Sequence, residues 1–172
     1  FKQFNATIIR SECIKTHGGS LRVFIKKNSD ARVEKSVVQM LKEEEKFGIK
    51  NYKTYQEFGE KVYKIRENVR NNIKKLKSKN KLVIGYGAPA KATTALNFFG
   101  ISNEIDYIIE DNKLKHNKFI PGVKIPIKAK QSMKDKDNIL IVLAWNFFND
   151  IKKNNSNISK DIINIKDLEF NK

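Results

Sequence analysis

The sequence predicts an α/β fold in which a doubly wound, mostly parallel sheet follows a strand pair and two helices. Three observations carry this. From Lys81 onward, short apolar runs alternate with helical patterns, the order that parallel strands with crossover helices require. One run, Ile139 to Ala144, is apolar at every position, as strands buried on both faces are. A glycine turn, Gly85 to Gly87, separates the first run from a helical segment.

The elements follow in order. Phe4 to Cys13 reads as extended, and the His17-Gly18-Gly19-Ser20 stretch breaks it. Leu21 to Ile25 alternates and reads as the partner strand. Asn28-Ser29-Asp30 is a turn that suits a helix cap. Val33, Val37, Val38, Leu41 and Phe47 then recur near helical spacing, with Lys46 and Gly48 placed for a helix end. A second helix runs from about Thr54 to Lys79, where Thr54 and Glu57 have capping-box spacing. Phe58, Val62, Ile65, Val69, Ile73 and Leu76 form its apolar stripe.

Beyond Lys81, the spacing predicts strands at Leu82–Tyr86, Ile105–Ile109, Ile139–Ala144 and Ile162–Ile165. Helices are expected from Pro89 to Phe99 and from Asn146 to Lys153, with a polar loop around Pro121-Gly122 and Pro126. Residues 1–80 thus form a strand pair with long helices, and 81–172 a nucleotide-binding type of sheet. The chain opens mid-pattern at Phe1 without an initiator Met, which reads as one domain of a longer protein.

Composition narrows the function. Thirty-five Lys and Arg against 19 Asp and Glu give a formal charge of +16, which points to a phosphate-bearing partner or to compositional drift. Nucleic acid is disfavoured, because the lysines spread along both long helices and the aromatics follow core periodicity. No apolar run reaches the roughly 18 residues of a membrane span, so no membrane partner is expected and the protein is read as cytoplasmic. One cysteine, Cys13, excludes a disulfide framework and is expected to be buried. His17 and His116 are too far apart in the sequence to suggest a metal site.

Gly85-Tyr86-Gly87-Ala88-Pro89-Ala90-Lys91 fits G-x-G-x-x-A between a strand and a helix, a Rossmann-like arrangement. The glycines allow a tight turn and close approach of a phosphate, and the helix N-terminus favours an anion. Lys91 adds a positive charge. Asp111 follows Ala90 by about 20 residues, the distance of the acid that holds a ribose hydroxyl. The competing reading is a tight turn without a ligand. Lys91 and the lack of a substrate domain count against a dehydrogenase.

Five spaced motifs occur together: Thr16 to Arg22; Gly85 to Lys91; Asp111-Asn112 with Lys115; Ile120-Pro121-Gly122 with Ile125-Pro126-Ile127; and Ala144 to Phe147. Over nearly the whole chain they resemble the C-terminal domain of the sugar C-methyltransferases, which methylate a carbon of nucleotide-linked keto-deoxy-sugars. The resemblance implies a substrate-binding domain for a nucleotide-diphosphate sugar. It also implies an upstream domain holding S-adenosylmethionine and a zinc-binding N-terminal region, both outside this chain. The fragment alone is then expected to be inactive.

The resemblance also implies roles for residues. Methylation beside a ketone needs a base for the α-proton, and imidazole titrates near working pH. His17 is therefore the candidate base, or it orients the ketone; otherwise it is a turn residue. Gly18, Gly19 and Ser20 share its bend, and Arg22 neutralises a phosphate or pairs with a carboxylate. Gly85, Gly87, Ala88, Pro89, Ala90 and Lys91 are candidates for the diphosphate. Asp111 takes a hydroxyl or caps the next loop. Lys115 meets phosphate or solvent. Asn146 meets ligand or caps the next helix.

Overall fold

The computed structural model describes residues 1–28, 30–133 and 136–170. The chain divides into two compact units, Phe1–Glu60 and Lys61–Lys172.

In the first unit, β1 (Thr7–Ile14) and β2 (Ser20–Lys26) form an antiparallel pair in which Glu12 stands opposite Arg22. Helix α1 (Lys35–Phe47) ends as its sequence predicts, at Gly48 in the left-handed region. Its start differs from expectation. Asn28 turns back onto the Asp30 N–H at 2.8 Å, Ser29 lies outside the described residues, and the cap position falls at Glu34. Helix α2 (Tyr52–Lys77) begins earlier than predicted. Asn51 Oδ1 accepts the Lys53 N–H at 3.0 Å, so the cap is Asn51. Thr54 therefore lies inside the helix, and Glu57 pairs with Lys53 at 3.7 Å on the surface. Asparagine is the stronger cap, and it precedes Thr54.

Among the described residues of this unit, the buried ones are Ala6 and Ser11. Leu41, Phe47, Tyr52 and Phe58 are 59, 73, 81 and 65% exposed, so the expectation that the aromatics follow a core fails here. Cys13 is exposed too, not buried as expected, because it lies on a two-stranded ribbon.

The second unit holds a parallel sheet: β3 (Leu82–Tyr86), β4 (Tyr107–Ile109), β5 (Ile127–Lys128), β6 (Asn138–Val142) and β7 (Asp161–Asn164). Its order is β5-β4-β3-β6-β7, reversing direction between β3 and β6. Helix α3 (Ala90–Phe99) follows β3, and α4 (Phe148–Asn155) follows β6 after a short 3-10 turn, Trp145–Phe147. Side chains alternate between faces with a period of two. Val83, Ile108, Ile139, Ile141 and Leu143 pack with Val69 and Ile73 of α2 and Ala92 and Leu96 of α3. Ile84, Tyr86, Tyr107, Ile109, Leu140 and Val142 face the other way, toward Phe148 and Ile151 of α4. Helices thus cover both faces, as a Rossmann-like sheet requires. Each buried Ile or Leu contributes about 1.5–3 kcal/mol.

Candidate functional site

In doubly wound sheets, ligands bind beyond the carboxyl ends of the strands, where the strand order reverses. A cleft of about 330 Å³ lies there, lined by Tyr86, Gly87, Pro89, Glu110, Asp111, Lys115, Ala144, Phe147 and Ile151. Each glycine of the turn has its own cause. Gly85 lies within β3, and a Cβ there would stand 2.8 Å from Ile108 Cγ1 and 2.9 Å from Leu143 Cδ1. Its role is close packing, where the sequence suggested a turn. Gly87 has φ +87°, a conformation that L side chains rarely adopt, and makes the turn itself. Ala88 is buried in the core. Pro89 occupies the cap position of α3, just ahead of the first helical residue, Ala90.

Two neighbouring carboxylates divide the work around this turn. Glu110 Oε2 accepts the Ala88 N–H at 2.8 Å, and Oε1 accepts the Asn112 N–H at 3.1 Å. Burial favours the neutral acid, but these N–H groups and the Lys115 ammonium outweigh it and hold the Glu110 carboxyl below its ordinary value. Asp111 faces the other way and accepts the Tyr86 hydroxyl at 2.7 Å. Burial, reinforced by that carboxylate, pushes Tyr86 up to about 12. Asp111 therefore does not cap the following turn; Asn112 does, accepting the Leu114 N–H at 3.0 Å.

The cleft unites Gly87, Pro89, Asp111 and Lys115 of the expected residues. Lys115 is engaged within the protein, donating to the Ala88 carbonyl at 2.9 Å with Glu110 at 3.3 Å. Lys91 sits in the first turn of α3, its ammonium 5.7 Å from the Trp145 ring centre. Trp145 packs against the core. Asn146 is exposed on the 3-10 turn, and the cap position of α4 is Phe147, so Asn146 does not cap that helix. Among the cleft residues outside the expected set, two are polar, Glu110 and Tyr86. Glu110 and Tyr86 follow from alternation: with Ile108 and Ile109 on opposite faces, Glu110 falls on the side of the glycine turn, and Asp111 on that of Tyr86.

The other expected residues lie in the first unit. His17 sits between β1 and β2 at φ 56°, in the left-handed region, followed by Gly18 and Gly19 at φ 87° and 125°. Ser20 Oγ donates to the Thr16 carbonyl at 3.0 Å and fixes the bend. His17 is exposed at its tip. Arg22 pairs with Glu12 at 3.1 Å across the ribbon, so of its two readings the carboxylate partner is the one present.

Among the described residues, no group of three His, Cys, Asp or Glu is placed to hold a metal ion. Among them, too, no helix is long and apolar enough to cross a membrane.

Residues 15–164 match the C-methyltransferase C-terminal domain family. The chain is 31% identical over 157 residues to the C-methyltransferase NovU of Streptomyces niveus, covering 90% of this chain and 37% of that relative. It thus spans little more than a third of that protein's length. By fold, motif and match along most of its length, the chain belongs to the C-methyltransferase C-terminal domain family.

Proposed function

We propose that this chain is the substrate-binding domain of an S-adenosylmethionine-dependent C-methyltransferase acting on a nucleotide-diphosphate keto-deoxy-sugar. The observation that carries the reading is the cleft at the carboxyl ends of β3, β4 and β6, beside a glycine turn, in a chain of this family. Asp111 offers a carboxylate to a hydroxyl, and Lys91 offers a cation to the diphosphate. His17 removes the proton beside the ketone, or orients that ketone, from a bend whose backbone holds it at the surface. S-adenosylmethionine supplies an electrophilic methyl group. At the glycine turn of this chain the Ala88 N–H already donates to Glu110 at 2.8 Å.

The donor, and the zinc region of the family resemblance, are assigned to the part of the enzyme outside this chain. Apolar residues exposed on the first unit, such as Leu41, Phe47 and Phe58, support a covering partner. The methyl-donor domain fills that role, since this chain spans only 37% of its relative.

Calorimetry with nucleoside diphosphate sugars and with NAD tests the reading. Saturable binding of a nucleoside diphosphate sugar, weakened by Lys91→Ala, is expected. Binding of NAD alone would establish a dinucleotide module instead.

A further inference from the structure

A glycine turn ahead of a helix presents backbone N–H groups to an anion. In this chain an anion is already there, and it is Glu110. Its Oε2 accepts the Ala88 N–H at 2.8 Å and its Oε1 the Asn112 N–H at 3.1 Å. Lys115 Nζ stands 3.3 Å from Oε2 and also donates to the Ala88 carbonyl at 2.9 Å. The Glu110 side chain is only 13% exposed, so water screens these contacts poorly. A second carboxylate, Asp111, lines the same cleft. A phosphate at the turn would displace Glu110 from Ala88 and meet two like charges, an arrangement that interfaces use to reject wrong partners.

The geometry points to Glu110 as a specificity-determining residue: a resident anion that closes the glycine turn to phosphate, so that the part of a ligand entering the cleft is an uncharged, hydroxyl-bearing ring. Asp111 is the acceptor for that ring. Among the described residues it receives one hydrogen bond, on Oδ2 from Tyr86, and a carboxylate has about four acceptor sites. The diphosphate is left to cations outside the cleft. Naming the ring as part of a nucleotide sugar rests on the function proposed above; the closure of the turn does not.

The test follows the Ala88 amide by nitrogen-15 NMR while the 172-residue chain is titrated with inorganic pyrophosphate. In the wild-type chain this amide stays unmoved. Glu110→Ala removes the anion and keeps Lys115, so the amide shifts saturably, with affinity about tenfold or more above wild type. Glu110→Gln keeps the shape and an acceptor, falls between the two, and decides the matter if Glu110→Ala does not fold. The inference is overturned if the wild-type amide shifts with a midpoint within about threefold of the variants. It is overturned equally if neither variant gains pyrophosphate binding at this turn. Both outcomes leave the nucleotide-sugar reading standing, because pyrophosphate carries neither sugar nor base.

Discussion

The Tyr86 hydroxyl donates to Asp111 Oδ2 at 2.7 Å, tying the end of β3 to the chain just beyond β4. Burial, reinforced by this bond, keeps the phenol neutral: its pKa in the folded chain is about 12, against 10.0 for an ordinary tyrosine. An unfolded chain loses this proton near pH 10 while the folded chain keeps it. The stabilisation is therefore complete below pH 10 and is lost as pH rises to about 12. Tyr86→Phe should remove a late phase from the absorbance titration of the tyrosines and flatten stability against pH over that interval. Equal slopes for wild type and Tyr86→Phe would contradict this.

Glu110 has the opposite sign. Its folded-state pKa is depressed, so its contribution is present above the ordinary carboxylate value and is lost as pH falls below it. Glu110→Gln should cost about 1–2 kcal/mol at neutral pH and less in acid, where the wild-type carboxylate is also protonated. Chemical denaturation at pH 7 and at pH 3 measures the difference. A cost that grows in acid would refute the assignment.

Glycine substitutions separate packing from conformation. Gly85→Ala forces a methyl group against Ile108 and Leu143 and should cost about 1–3 kcal/mol. Gly59→Ala, inside α2 with nothing within 4 Å of the new methyl, should raise stability by up to about 1 kcal/mol. Melting temperatures moving in opposite directions are expected.

His17 adopts a left-handed conformation at φ 56°, ψ 23°. Asn5, Asn80, Asn117 and Lys124 also have positive φ, so this conformation is a feature of tight turns as well as of functional sites. His17→Gly should leave stability unchanged or higher, whereas His17→Val should lower it by about 1–2 kcal/mol. In the complete enzyme both should lose methyl transfer. A His17→Gly enzyme with near-normal turnover would remove the catalytic role.

The sequence carried the sheet well where packing is uniform. Ile139 to Val142 is apolar on both faces, so β6 was legible as a central strand. It was silent on β5, because Ile127–Lys128 is two residues long and its place depends on pairing with β4. Thr54 reads as a cap from its capping-box spacing, which Asn51, the better one, lacks. Of the residues lining the cleft, Gly87 and Asp111 are legible from the spacing of the motif, whereas Lys91 stands by the Trp145 ring. What the spacing did not give was direction: Glu110 and Asp111 are adjacent, and only the pleat of β4 sends one to Ala88 and the other to Tyr86.

The cleft at the carboxyl ends of β3, β4 and β6 is proposed above to bind part of a nucleotide sugar. Amide shift mapping of the chain with a nucleoside diphosphate sugar tests it most directly. Saturable shifts are expected at Tyr86, Gly87, Asp111 and Phe147, lost in Asp111→Asn. Saturable binding whose shifts leave those four residues unmoved would contradict it.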